Sequence, residues 1–146
     1  MFANQGDIPQ AGQQMCYMLG YNTDLASPHP QSWGHITCGG TVANIEAVWA
    51  SRNLKYYPLA VKNAIQNETA LSKAKGYMVS APWDGGRKMP ILEMSSWNLL
   101  NIEIDDAINM ASEVRALAKI DGSTFDAMIK KYSVQSLGMH EFLRLV

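Results

Sequence analysis

Apolar residues recur at helical spacing through much of the N-terminal half of the chain. The first such stripe predicts a helix over residues 8–20, which Gly20 would end. A second stripe predicts a helix from about residue 41 to residue 57. Pro58 would then open a further short helix, because proline suits the first turn of a helix. The pattern in this half is therefore mainly helical.

The C-terminal half begins irregularly and then becomes helical again. Residues 76–96 contain two prolines and two adjacent glycines without a sustained period, which predicts a long irregular excursion. A clear stripe over 104–117 predicts a helix, and shorter helices are expected over 123–132 and 138–146. Four large side chains on the helical stripes are expected in the core: Met15, Met18, Trp49 and Met110.

Only one segment of the chain has a convincing strand pattern. Residues 34–38, GHITC, form a short apolar run with adjacent β-branched residues, and a glycine turn and a predicted helix follow them. A buried strand that leads through such a turn into a helix is typical of α/β sheets, which need several parallel strands. One strand cannot form a sheet. Either the sequence pattern does not reveal further strands, or most of the sheet lies outside these 146 residues.

The glycine turn, Gly39-Gly40-Thr41, is the strongest candidate for binding chemistry. Glycines bring bare backbone amides to the surface and allow backbone angles that side chains forbid. The first amides of a helix are unpaired and carry the positive end of its dipole, so together with the Thr41 hydroxyl they suit a phosphate. The alternative is an ordinary tight turn with Thr41 as the helix N-cap. The spacing matches neither a P-loop nor a dinucleotide-binding GxGxxG motif.

Composition narrows the class of protein. A chain of 146 residues suits about one domain, and 47% hydrophobic with 17% charged residues is typical of a globular protein. The net charge of −1 offers no patch for nucleic acid or an anionic membrane, and no apolar run approaches the length of a membrane span. Two cysteines without CxxC spacing predict neither a disulfide framework nor a metal site, and with no signal-peptide pattern they favour the cytoplasm.

The stretch GHITCGGTVANIEAVWASRN, with MCYMLGYN before it and LKYYPLAVK after it, resembles a known family. It is similar to the group II pyridoxal-phosphate-dependent amino-acid decarboxylases, most of all the branch with tyrosine and glutamate decarboxylases. In that family a turn of the kind T-x-G-G-T-x-A-N leads into a helix with a pattern like LEALWAARN. The turn residues that match are Thr37, Gly39, Gly40, Thr41, Ala43 and Asn44.

The resemblance implies an α/β fold class, with this chain as a helix-rich fragment of a fold-type-I large domain that has few strands. Residues 1–146 would be an incomplete pyridoxal-phosphate-binding domain, with a variable helical segment at about 97–146. Gly39, Gly40 and Thr41 would hold the phosphate of pyridoxal 5′-phosphate. Cys38 and Asn44 are further candidates beside them, although Cys38 also suits simple packing and Asn44 an ordinary surface position.

The catalytic parts of such an enzyme are not found in this sequence. The family's cofactor-binding lysine directly follows a histidine, and this chain has no His-Lys pair. The family's strand-end aspartate also has no counterpart, because Asp106 and Asp126 both fall in helical patterns. No catalytic residue is therefore assigned, and the chain alone is expected to be inactive.

Two functions remain open beside that of a decarboxylase segment. One is a non-catalytic binding or interaction protein that keeps a decarboxylase-like fragment. The other is a different fold-type-I pyridoxal-phosphate lyase. For the decarboxylase, the resemblance implies an amino-acid substrate and a homodimer in the full-length form.

Overall fold

The computed structural model describes residues 10–24, 26–27, 32 and 34–145. These residues fall into two compact units, one up to Glu46 and one from Ala47 onwards. Helices dominate, and a single two-stranded antiparallel sheet accompanies them in the described residues. The helices are α1 Gln10–Met18, α2 Gly40–Asn67, α3 Ser96–Leu100, α4 Ile104–Ala118, α5 Gly122–Lys131 and α6 Val134–Leu145. The strands are β1 Met78–Ala81 and β2 Arg87–Pro90.

In the N-terminal unit, α1 confirms the first predicted helix over its described part. Gly12 lies so close to the following loop that a Cβ there would be 2.6 Å from the Gly34 carbonyl oxygen. Cys16 is buried on the same helix. The helix thus packs against the loop through small or slender residues.

The predicted strand over residues 34–38 is wrong, because residues 34–37 are irregular and residue 38 lies in a bend. A strand needs a neighbour for its backbone amides and carbonyls. The described residues of this unit contain no strand that could pair with this segment. The apolar Ile36 is accordingly exposed rather than buried in a sheet.

Helix α2 runs without a break through Pro58, so the prediction of two helices that meet there is wrong. Proline removes one backbone hydrogen bond and usually kinks a helix interior. Here the residues from Pro58 to Val61 are all buried. Packing of this half of the helix offsets the lost hydrogen bond. The local preference of proline for a first helical turn does not reveal this packing.

Residues 76–96 are more regular than predicted, because they hold the two strands of the sheet. Met78 pairs with Pro90 and Ala81 with Arg87, and a five-residue connection closes the hairpin. Gly85 and Gly86 in that connection have φ values of 63° and 80°, a left-handed conformation that favours glycine. The strands are only four residues long, too short for their alternation to stand out in the sequence.

The C-terminal helices confirm the predicted stripe over 104–117. The start of α4 is acidic, with Glu103 as N-cap and two aspartates in the first turn. One of these, Asp106, accepts a hydrogen bond from the Ser80 backbone amide at 3.0 Å, which ties α4 to β1. Asp121 caps α5 through the Thr124 amide, so that helix begins one residue before its predicted start.

Helix α6 begins earlier than predicted, at Val134, and is interrupted at Gly138. The glycine has φ 73° and ψ 162°, outside the helical region. The residues on its two sides nevertheless pack on the same core, for Val134 and Phe142 are both buried. The sequence pattern marked only the second of these two helical pieces.

The core lies in the C-terminal unit and joins α2, the hairpin and α3 to α6. Its largest fully buried side chains are Phe125, Phe142, Leu59, Ile65, Leu71, Ile91, Met94, Leu99 and Met110. Met110 is therefore confirmed as a core residue. The same expectation is wrong for Met15, Met18 and Trp49, whose side chains are 54%, 81% and 59% exposed. Within the described residues, no helix is both long and apolar enough to cross a membrane.

Candidate functional site

The five predicted phosphate-site residues lie together at the start of α2. Cys38 and Gly39 form a bend, Gly40 is the first helical residue, and Thr41 and Asn44 follow in the first two turns. All five residues are exposed. Because they are neighbours along the chain, the start of a single helix is enough to bring them together.

The backbone at this helix start presents amides that the helix cannot use. The first helical hydrogen bond runs from the Ala43 amide to the Gly39 carbonyl, at 3.2 Å. The amides of Gly40, Thr41 and Val42 precede it and have no carbonyl four residues back within the helix. The first turn also carries no acidic side chain. The amides and the positive end of a 28-residue helix therefore favour an anion here.

Thr41 is not the N-cap of α2, because the helix already begins at Gly40. It is instead an exposed residue of the first turn. Thr37 has the role of orienting the turn: its hydroxyl donates a 3.0 Å hydrogen bond to the Gly39 carbonyl. Thr37 belonged to the sequence motif, but the motif alone did not show what its side chain bonds.

The two glycines are not required by the backbone conformation of the turn. Neither Gly39 nor Gly40 is among the glycines with positive φ. A Cβ added at either position would meet no atom within 4 Å. Glycine here leaves the backbone open to close approach from outside, which is what a backbone site for an oxyanion requires.

A contact between two side chains links the loop before the turn to the second turn of α2. The Nε2 atom of His35 lies 2.8 Å from Oε2 of Glu46, and both side chains are partly exposed. Glu46 is the one acidic residue in the first two turns of the helix. Its carboxylate therefore has the imidazole of His35 as a partner within hydrogen-bond distance.

A cavity of about 420 Å³ lies in the same unit, between α1 and the loop. Met15, Cys16 and Leu19 form an apolar wall, whereas Tyr21, Ser32 and His35 supply polar groups. None of the five predicted residues lines it. His35 thus belongs both to the cavity and to the pair with Glu46, a role that its isolated position in the sequence gave no signal to predict.

No family model matches the chain. It is similar to an L-tyrosine decarboxylase of Enterococcus faecium, with 26% identity over 106 residues that cover 67% of this chain and 14% of that protein. L-tyrosine decarboxylases of Levilactobacillus brevis and Enterococcus faecalis are 30% and 31% identical over 73 and 72 residues. These two matches cover 50% and 49% of this chain, and 10% and 12% of the relatives.

The chain therefore spans about a seventh or less of the length of the curated relatives it matches. The similarity covers about half of this chain or more in each case. The helix-rich chain is thus similar in part to L-tyrosine decarboxylases.

Proposed function

We propose that this chain is a segment of a pyridoxal-phosphate-dependent amino-acid decarboxylase and supplies the cradle for the cofactor phosphate. The observation that carries the proposal is the start of α2, where open glycine backbone and unpaired amides meet without an acidic side chain. The similarity to L-tyrosine decarboxylases supports it. In this proposal the whole protein is a cytoplasmic fold-type-I homodimer.

The proposed contacts follow from the chemistry of the helix start. Backbone amides of Gly40 and Thr41 donate to phosphate oxygens, and the Thr41 hydroxyl adds a further donor. Gly39 leaves room for the approach, because no side chain covers its backbone. Cys38 and Asn44 flank these three residues and bound the site on either side.

Thr37 and Ala43 keep an unfavourable group away from the anion. Both donate to the Gly39 carbonyl oxygen, Thr37 through its hydroxyl and Ala43 through its amide. A carbonyl oxygen that faced the phosphate would repel it. With its hydrogen bonds made inside the turn, the Gly39 carbonyl leaves the amides as the groups presented to the ligand.

In the proposed reaction, this segment positions the cofactor. Held through its phosphate by Gly40 and Thr41, pyridoxal 5′-phosphate would supply an electron sink for the decarboxylation of an amino acid. A phosphate anchored at α2 fixes where the rest of that molecule points, and correct orientation is a large part of catalysis. None of this chain's residues is assigned a proton transfer, in keeping with the missing His-Lys pair.

The proposal is tested by the affinity of the chain for pyridoxine 5′-phosphate and for pyridoxine, measured by isothermal titration calorimetry. These compounds lack the aldehyde, so reaction with surface lysines does not contribute. We expect the phosphate compound to bind at least about tenfold more tightly than pyridoxine, since charge-assisted hydrogen bonds carry the interaction. Gly40→Val and Thr41→Val should remove most of that preference.

Thr69→Val is the matched control, because Thr69 is an exposed threonine at the first position of another helical turn. It should leave the affinity unchanged. Equal binding of the two compounds, or equal loss in the Thr69 variant, would refute the cradle and favour the non-catalytic alternative.

A further inference from the structure

A second candidate site lies in the C-terminal unit and includes none of the residues of the glycine turn. It is an open groove of about 580 Å³ bounded by α2, α3 and α6. Its volume is within the range of about 300–1,000 Å³ that is usual for small-molecule sites. The residues that matter below are Val48, Arg52, Lys55, Tyr56, Trp97 and Met139.

The groove offers exposed apolar surface that includes a flat aromatic ring. Trp97 is 74% exposed, and Val48 and Met139 are exposed beside the same groove. Tyr56 is held from behind, because its ring meets the buried Phe142 edge to face at a centroid distance of 5.3 Å. A planar apolar group could therefore pack on a fixed surface and gain from burial and from ring contacts.

The groove also carries two positive charges, and neither has a carboxylate partner among the described residues. Arg52 and Lys55 are three residues apart on α2 and so lie on the same side of the helix. The Lys55 Nζ donates to the Leu100 carbonyl at 2.7 Å. The Arg52 Nη2 donates to the Asn53 side-chain oxygen at 3.3 Å. Both acceptors are uncharged, so neither bond compensates the charge.

One donor of Arg52 has no acceptor among the described residues. Its Nε is buried, and no described group accepts a hydrogen bond from it. In the described part of the chain, neither Arg52 nor Lys55 forms an ion pair, and no aspartate or glutamate lines the groove. Two cations without a carboxylate beside them favour an anionic ligand in the groove.

We propose that this groove binds a small carboxylate that carries an aromatic ring. The guanidinium fork of Arg52 matches the two oxygens of a carboxylate, and Lys55 adds a second charge within the same groove. The ring packs against Trp97 and Val48. The site is independent of the phosphate cradle and does not rest on the decarboxylase assignment.

The first test compares three ligands on the full chain by nuclear magnetic resonance titration. The probe is 3-phenylpropionate, with 3-phenylpropionamide lacking the charge and acetate lacking the ring. We expect 3-phenylpropionate to bind in the millimolar range or better and at least about tenfold more tightly than either comparison ligand. The shifted amide signals should cluster in 47–56, 97–101 and around 139.

The second test uses variants of the groove with a control lysine elsewhere. Arg52→Gln, Lys55→Gln and Trp97→Ala should each weaken binding of 3-phenylpropionate by about threefold to tenfold. Arg52→Lys should retain more affinity than Arg52→Gln, because it keeps the charge. Lys88→Gln, an exposed lysine on β2, should bind like the wild type.

Thermal unfolding of each variant shows whether it is folded, and the ligand comparison on the wild-type chain does not depend on any variant. The proposal is overturned if the acid and the amide bind equally or if no binding is found at about 10 mM ligand. An affinity loss in Lys88→Gln as large as in Arg52→Gln would overturn it as well.

Discussion

Gly12 shows how one missing side chain can decide the packing of an element. Its α-carbon approaches the loop so closely that a Cβ would lie 2.6 Å from the Gly34 carbonyl oxygen, and the second nearest atom is also backbone. Gly39 and Gly40 are the opposite case, since a Cβ there meets nothing within 4 Å. The two kinds of glycine therefore predict opposite responses to the same substitution.

We predict that Gly12→Ala destabilises the N-terminal unit by about 1–3 kcal/mol, because the backbone must move to accept the methyl group. Hydrogen exchange of the α1 amides measures this directly. Gly40→Ala is the control and should leave the same amides unchanged or slightly more protected. Equal protection of α1 in the wild type and in Gly12→Ala would contradict the close approach.

The ionisation of Tyr57 at high pH provides a test of its burial. Burial, with the Asp126 charge as a smaller cause, raises the pKa of Tyr57 to about 12 from the ordinary value of 10.0. Burial likewise raises the pKa of Tyr77, which donates a hydrogen bond to the Glu113 carboxylate at 2.6 Å. Both groups therefore stabilise the folded state in their neutral form.

A raised tyrosine pKa stabilises the fold fully below about pH 10, and the stabilisation is lost as the pH rises through about 12. We expect the melting temperature to fall over that interval. Tyr57→Phe should make the fall smaller, whereas Tyr17→Phe, at an exposed tyrosine, should not change it. An unchanged pH profile in Tyr57→Phe would show that this tyrosine ionises normally.

At the scale of single residues, the sequence located the candidate turn but not the hydrogen bonds around it. The motif singled out Gly39, Gly40 and Thr41 because small residues before a helix are a local signal. The alternative interpretation placed the N-cap at Thr41, one residue inside the actual helix, and neither interpretation assigned a contact to Thr37. Which atom a hydroxyl bonds depends on the path of the loop, and spacing does not encode that path.

At the scale of elements, α6 depends on a backbone conformation that only glycine adopts easily. Gly138 interrupts the helix with φ 73° and ψ 162°, and a Cβ there would meet no other atom. The constraint is thus conformational strain rather than space. The break lets Val134 and Phe142, on its two sides, both reach the core.

We predict that Gly138→Ala lowers the free energy of unfolding by about 1–3 kcal/mol, the usual cost of holding a side-chain residue in this region. Chemical denaturation followed by circular dichroism measures it. Gly76→Ala is the matched control, because Gly76 has no positive φ and equally open surroundings. If the two variants unfold alike, the kink does not require glycine.

The elements that the sequence predicted well are those with a long apolar stripe and clear ends. Helix α4 has both, with buried Ala107, Met110 and Val114 at helical spacing. The hairpin was missed because its four-residue strands are too short for alternation to show. The prediction of a new helix at Pro58 is wrong because burial in the tertiary structure outweighs the local preference of proline for a helix start.

At the scale of the whole molecule, the N-terminal part of α2 keeps an apolar stripe in contact with solvent. Ile45, Val48 and Trp49 share one side of the helix and are all exposed. The apolar periodicity of the sequence identified this side of the helix. It could not show that the side stays exposed among the described residues. Exposed apolar surfaces of this kind promote association in solution.

We predict that the isolated chain associates through this stripe at micromolar to millimolar concentration. Sedimentation velocity should show a weight-average mass that rises with concentration, and Ile45→Gln with Trp49→Gln should suppress the rise. Leu143→Gln, at an exposed leucine on α6, is the control and should still associate. A mass that does not depend on concentration would contradict the prediction.

The central claim concerns the amides at the start of α2, and nuclear magnetic resonance observes them individually. We predict that pyridoxine 5′-phosphate shifts the amide signals of Gly39 to Val42 in a saturable manner, whereas pyridoxine leaves them in place. Each amide that donates to a phosphate oxygen should move downfield. Unmoved signals at saturating ligand, or the same shifts with pyridoxine, would contradict the phosphate cradle.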